Sequence, residues 1–340
     1  MTQPQISRLM EQYATRHPGD TPVLVETHIS WVIMAKKEVF KIKKPLKFSF
    51  LDFSTLQQRR YFCEREVALN RRLAPDMYLG VIPICEKDGL GPLGEGCGPV
   101  VEYAVRMRRM DETRQLDRLL EKGGVTPAEM DGLAQMLADF HRDARVVAEA
   151  EDWLGLYREF DDLRSVLPVL ESTLGADAVK KIVGALNQSR RFLKGLDLRI
   201  EARKAAGFVR DGHGDLHCRN IFMTHPPVIF DCIEFSDELR TLDVLSEIGF
   251  LCMDLERFGR GDLSDAFARD YQGYFPCIEN EDDQRLLLFY KMYRANVRIK
   301  VTALALGPSV AAGKPEPEAV GLLKSYSSLF EQYAARLFSC

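Results

Sequence analysis

Apolar positions divide the chain into a strand-rich first third and a helical remainder. Within residues 1–17, Ile6, Leu9, Met10 and Tyr13 recur at helical spacing, which predicts a lead-in helix. From Val23 the period shortens to two, and Pro22-Val23-Leu24-Val25, Ser30-Trp31-Val32-Ile33-Met34 and Val39-Phe40-Lys41-Ile42 read as strands. Gln57 to Leu73 is helical again through Phe62, Val67, Leu69 and Leu73. Two more strands are predicted at Gly80–Ile84 and Pro99–Met107. Beyond Arg108-Arg109-Met110-Asp111-Glu112, where polarity rises, most of the pattern is helical. Thr126-Pro127-Ala128-Glu129 is a capping box with proline at the first helical position, and it launches a predicted helix through Ala144. Further helices are predicted over 151–205, including Ala176 to Leu193, and near 238–257, 282–306 and 317–337. Gly307-Pro308 and Gly313-Lys314-Pro315 part the last two. The fold class that follows is α+β.

Composition narrows this only a little. A chain of 340 residues that is 46% hydrophobic can bury one large core or two lobes. The 46 basic side chains against 50 acidic ones give no electrostatic footprint for nucleic acid. No apolar run reaches the length of a membrane span, and Met1-Thr2-Gln3-Pro4 does not begin a secretory signal. The eight cysteines are scattered without a Cys-x-x-Cys pair, so reduced thiols are expected, not zinc or a disulfide framework. The expectation is a cytoplasmic protein with neither nucleic acid nor membrane as partner; nothing in the sequence specifies an oligomer.

One polar segment carries chemistry. His213-Gly214-Asp215-Leu216-His217 is followed by Asn220, and Asp231 ends the short apolar run Val228-Ile229-Phe230. Phosphoryl transfer needs a carboxylate to accept or orient a hydroxyl proton, and an amide oxygen with a second carboxylate to hold Mg²⁺ on the phosphates. Asp-x-x-x-x-Asn, then a strand, then Asp is the spacing of a kinase catalytic loop and its metal aspartate.

HGDLHCRNIF followed by VIFDCIEF resembles the signature of the aminoglycoside phosphotransferase and choline kinase-like family. That resemblance implies a bilobal protein-kinase-like fold. Glu26-Thr27-His28-Ile29-Ser30, Phe40-Lys41-Ile42-Lys43-Lys44-Pro45, Leu51-Asp52-Phe53-Ser54 and Asn70-Arg71-Arg72-Leu73-Ala74-Pro75 are similar to a bacterial subgroup of it. Members of that subgroup are often fused to a carboxy-terminal P-loop ATPase domain, which is not expected within these 340 residues. In these terms residues 1–107 form an N-lobe of one lead-in helix, five strands and one further helix. Residues 108–112 form the hinge, and 113–340 a helical C-lobe that carries the catalytic loop.

The resemblance also assigns roles. Asp215 is the catalytic base, Asn220 and Asp231 the Mg²⁺ ligands, and a strand lysine held by a helix carboxylate positions the phosphates of ATP. Lys41 and Lys43 lie two apart and share one strand face. Lys41 is preferred, because Val39 two residues earlier can pack on adenine, whereas Lys43 would be preceded by a buried Lys41. Glu66 is the expected carboxylate, with Glu64 as the alternative on a different helix face. Thr27-His28-Ile29-Ser30 stands where a kinase has a glycine-rich phosphate lid; His28 and Ser30 either contact phosphates there or belong to an ordinary turn. His141, in Leu137-Ala138-Asp139-Phe140-His141, reads better as a structural histidine than a functional one. Glu234, Asp237 and Glu238 read as carboxylates that offset the dipole of the following helix, or else favour a cationic acceptor.

Other motifs weigh less. Gly89-Leu90-Gly91-Pro92-Leu93-Gly94 joins two strands and reads as a hairpin loop, not a dinucleotide fingerprint. Gly307 to Lys314 has the wrong glycine spacing for a Walker A loop, with Pro315 at its Ser/Thr position. Gly214-Asp215-Leu216-His217 echoes a metallophosphatase, but the further Gly-Asp and Gly-Asn-His segments are missing. The expected function is ATP- and Mg²⁺-dependent transfer of a phosphoryl group to a hydroxyl of a small molecule; the alternative is a noncatalytic nucleotide-binding module.

Overall fold

The computed structural model describes residues 1–48, 51–85, 98–148 and 152–338. Helix α1 (Gln3–Arg16) starts at a capping box between Thr2 and Gln5. Strands β1 (Val23–Glu26), β2 (Ser30–Met34) and β3 (Glu38–Lys43) follow, then the short pair β4 (Lys47–Phe48) and β5 (Leu51–Asp52). Helix α2 (Leu56–Asn70) begins at Thr55, whose hydroxyl accepts from the Gln58 N–H. Strands β6 (Tyr78–Cys85) and β7 (Val100–Arg108) complete an antiparallel sheet of order β1-β2-β3-β7-β6. The hairpin expected at Gly89–Gly94 lies outside the described residues.

Alternation along β3 feeds two cores. Phe40 and Ile42 pack with Ile6, Leu9 and Tyr13 of α1 on one side of the sheet. Val39 joins Cys63 and Val67 of α2 on the other. Each such side chain taken out of water contributes roughly 1.5–3 kcal/mol. Cys63, Glu66, Val67 and Asn70 form the buried stripe of α2 at i, i+3, i+4 and i+7, so two polar side chains are carried into that core.

The chain separates into two compact units. The first comprises Met1–Arg118 and Arg219–Leu239, and the second Leu119–Cys218 and Arg240–Cys340. A 3₁₀ turn at Glu112–Arg114 follows β7, and α3 (Leu116–Glu121) follows the turn. The second unit then builds α4 (Pro127–Asp143), α5 (Trp153–Asp161), α6 (Leu167–Leu174), α7 (Ala176–Gly195), α8 (Asp197–Ala205) and β8 (Val209–Asp211). Residues 219–239 return to the first unit with the hairpin β9 (Ile221–Phe222) and β10 (Val228–Ile229). The second unit closes with β11 (Thr241–Asp243), α9 (Val244–Arg257), α10 (Gly261–Tyr274), α11 (Glu281–Ala311) and α12 (Pro317–Phe338).

The structure corrects two predicted boundaries. The helix expected from about 238 starts at Val244, because Thr241–Asp243 pairs antiparallel with Val209–Asp211. Asp243 caps that helix by accepting from the Leu245 N–H, and Leu239, within the expected helix, is exposed. The break expected at Gly307-Pro308 is absent, and α11 runs through both residues to Ala311. Proline there frees the Leu304 carbonyl, and Leu304 stands exposed, where water can hydrate that oxygen. No helix among the described residues is long and apolar enough to cross a membrane. The six cysteines among them are all buried, and none is in a disulfide.

Candidate active site

In the first unit the candidate nucleotide and metal residues converge. Lys41 and Lys43 share a face of β3, and both reach Glu66 of α2. The Lys41 ammonium lies 2.9 Å from Glu66 Oε1 and donates to Asp231 Oδ1 at 2.7 Å. Lys43 donates to Glu66 Oε2 at 2.7 Å and also to Glu234. Burial opposes charge on both lysines, yet the carboxylates outweigh it and hold them above their usual range, Asp231 and Glu66 for Lys41, Glu234 and Glu66 for Lys43. Glu66 responds in kind: burial pushes its carboxyl up, but the two ammonium groups bring it to about 2. Glu64 is exposed and pairs with Arg60.

Asp231 has φ 63°, a left-handed conformation that Asp tolerates better than most residues. Its N–H donates to the Tyr78 hydroxyl at 3.2 Å. The next N–H, of Cys232, donates to Asn70 Oδ1 at 2.9 Å. These bonds hold the turn in shape and leave the Asp231 side chain 45% exposed. Asn220 is buried, and its carbonyl accepts from the Phe230 N–H at 3.0 Å, tying the two expected metal residues through the β9–β10 hairpin. Their amide and carboxylate oxygens are hard donors of the kind Mg²⁺ takes. No cluster of three or more His, Cys, Asp or Glu placed to hold a metal occurs among the described residues. Mg²⁺ needs only one or two carboxylates and completes its shell from phosphates and water, so this donor set fits.

The Thr27–Ser30 turn is closed by its own hydrogen bonds. Ser30 N–H donates to Thr27 Oγ1, and the Thr27 N–H and hydroxyl donate to the Ser30 carbonyl. Ser30 is buried, and His28 is exposed.

In the second unit, residues 213–218 form a loop braced from below by α9. Glu247 accepts from the His213 N–H at 3.0 Å and the Gly214 N–H at 2.7 Å, and pairs with His141 Nε2 at 2.8 Å. Two turns along the same face, Asp254 accepts from the Cys218 N–H at 2.9 Å. Arg294 of α11 donates to the Gly214 carbonyl at 3.2 Å. Gly214 adopts φ 88°, and a Cβ on Gly212 would fall 2.4 Å from a Glu247 oxygen, so both glycines are required by this packing. His141, fully buried between Glu247 and the Tyr271 hydroxyl, supports the loop.

Asp215 keeps 34% of its side chain exposed on this brace, with His217 Nε2 3.3 Å away. Burial pushes its carboxyl up, but His217, Arg298 and His213 more than offset this. Asp215 is held below the usual carboxylate range and is an anion at physiological pH.

The sequence reading missed Glu247, Asp254, Asn70 and Tyr78, and it assigned Glu234 wrongly. Glu234 neither lies at a helix start nor faces solvent; it is buried against Lys43, and α9 begins only at Val244, six residues after the start expected near 238. Asp237 pairs with Arg65. For Glu247 and Asp254 there was a signal: two carboxylates inside the apolar run Val244–Leu255 must each have a buried partner.

The strand-and-helix architecture is the bilobal protein-kinase-like fold. Choline kinase from Cryptosporidium parvum shares it with a TM-score of 0.54 at 11% identity, over 98% of this chain and 96% of that one. APH(2")-IIia, solved with GDP and kanamycin, gives 0.52 at 13% identity over 98% and 99%. A choline/ethanolamine kinase family protein from Mesorhizobium loti gives 0.51 at 14% over 99% and 100%. By sequence the chain is 33% identical over 301 residues to uncharacterized proteins of Mycobacterium bovis and Mycobacterium tuberculosis. The match takes in 86% of this chain and 56% of theirs, so the chain spans about half the length of these curated relatives. No family model matches it.

Proposed function

We propose that this protein is an ATP- and Mg²⁺-dependent phosphotransferase acting on a hydroxyl of a small molecule. The observation that carries the reading is the Lys41 ammonium joining Glu66 of α2 to the left-handed Asp231. That Asp231 stands in a chain whose Asp215, Asn220 and Asp231 have kinase spacing. Lys41, oriented by Glu66, positions the α- and β-phosphates. Val39, two residues earlier on the same face, lies with Met107 and Phe222 in an apolar cluster that offers a surface for adenine. Of the two candidates on the Thr27–Ser30 turn, His28 is exposed and Ser30 buried, so His28 is the one open to a phosphate contact. Asn220 and Asp231 would hold Mg²⁺, which when bound neutralises charge on the phosphates.

Asp215 orients the acceptor hydroxyl and takes its proton. A carboxylate of low basicity suits a loose transition state, in which the proton need leave only late. A small acceptor is supported by the short path between Asp231 and α9, which holds a 3₁₀ turn at Glu238–Arg240 and strand β11 and no activation loop or Ala-Pro-Glu segment. The neighbouring solved structures named for choline, ethanolamine or a kanamycin complex support the same class. Nucleotide consumption against a broad metabolite panel tests the reading. One or more metabolites should stimulate turnover, and Asp215→Asn should abolish the stimulation. Efficient phosphorylation of a protein, with no metabolite active, would overturn it.

A further inference from the structure

Lys43 is fully buried, and a buried ammonium is costly unless it is paired. It is paired twice, with Glu66 and Glu234, and it lies 4.8 Å over the ring of Phe53. Lys41, 14% exposed, takes the other oxygen of the same Glu66 and reaches Asp231. Five charges therefore alternate in sign: Asp231, Lys41, Glu66, Lys43, Glu234. The first and last are only three residues apart in the chain, so this row fastens both ends of the segment 231–234 to β3 and α2. Asn70 fastens its middle, since its Oδ1 accepts from the Cys232 N–H while its Nδ2 donates to the Glu66 carbonyl at 2.9 Å.

We infer that Lys43 and Glu234 are a positioning pair: they hold Glu66 in the orientation that serves Lys41, and they hold the Asp231 turn in its metal-binding shape. This rests on the phosphotransferase reading above. A pair of apolar side chains would fill the same space at equal or lower energy, so the buried charges are spent on orientation. When Lys41 turns from Asp231 to a phosphate, the Lys43–Glu234 pair remains and keeps Glu66 and the 231–234 segment in place.

The test is calorimetric titration of ATP, with Mg²⁺ and separately in EDTA, into wild type, Glu234→Gln and the charge-neutral double variant Lys43→Met/Glu234→Met. Thermal melts fix a temperature at which all three are folded. Partners that orient a metal ligand typically cost about 10- to 100-fold in metal affinity when removed. Glu234→Gln should lose affinity by that factor with Mg²⁺ and little in EDTA. The double variant should regain melting temperature but not Mg²⁺-dependent affinity. Wild-type affinity in a folded Glu234→Gln protein, or recovery of affinity along with stability in the double variant, would overturn the inference and leave the kinase reading standing. Absence of Mg²⁺-dependent binding in wild type would overturn both.

Discussion

Glu247→Gln is the perturbation whose size the structure sets most directly. The carboxylate is buried and receives the N–H groups of His213 and Gly214 together with His141. Burial pushes its pKa up, yet those partners bring it from its ordinary 4.5 to about 2. A depressed folded-state pKa contributes stability that is complete above pH 4.5 and is lost as pH falls towards 2. Each pH unit of that separation corresponds to about 1.4 kcal/mol, so the ionised group contributes about 3 kcal/mol near neutrality. Glutamine keeps the shape, loses the charge and presents an NH₂ where one acceptor oxygen was needed. Urea unfolding followed by far-UV circular dichroism at pH 7 should therefore show a loss of about 3 kcal/mol, within the range for breaking a buried charged network. The difference from wild type should shrink as pH falls from 4.5 towards 2. A variant within about 0.5 kcal/mol of wild type at pH 7, the range of ordinary surface changes, would refute the assignment of Glu247 as the brace of the 213–218 loop. So would a difference that does not shrink in acid.

Asp231→Ala should abolish Mg²⁺-dependent nucleotide binding in a folded protein; unchanged Mg·ATP affinity by calorimetry would remove Asp231 from the metal site. The two lysines should separate by phenotype. Lys41→Met leaves Glu66 paired with Lys43 and Asp231 open to water, so activity should fall while the melting temperature moves little. Lys43→Met strands buried Glu234 and should cost about 3–5 kcal/mol of stability. The reverse pattern in denaturation and turnover assays would exchange their roles. Gly212→Ala, which puts a methyl into the Glu247 carboxylate, should destabilise the loop, and a wild-type melting temperature would show that the loop can give way.

Much of this was legible because it is local. The period of Phe40-Lys41-Ile42 and the capping box at Thr126 are set by neighbouring residues, and the elements followed; of the apolar residues that predicted α2, only Val67 lies in its buried stripe. Asp215, Asn220 and Asp231 fall within one short stretch, so their spacing could be read without knowing the fold. Tertiary pairing was not legible. Glu234 reads as a helix-start carboxylate until β3 brings Lys43 to it, and Asn70 reads as the end of a helix until Cys232 arrives. Leu239 and Leu242 imitate helical spacing because β11 is only three residues long and its partner β8 is distant in sequence. Gly307-Pro308 is a strong breaking signal locally, and the exposure of Leu304 that makes it tolerable is set by the packing of α11.

In the proposed phosphotransferase, Asp215 performs chemistry and does not merely support a nucleotide-binding fold. The most direct test of that role compares wild type with Asp215→Asn, in which the carboxylate is replaced at nearly constant shape. Mg·ATP affinity by calorimetry and transfer of labelled γ-phosphate into a metabolite mixture would be measured on the same preparations. Affinity should stay close to wild type while transfer falls by about 10²-fold or more. Equal loss of affinity and transfer would contradict that role, as would undiminished transfer in the variant.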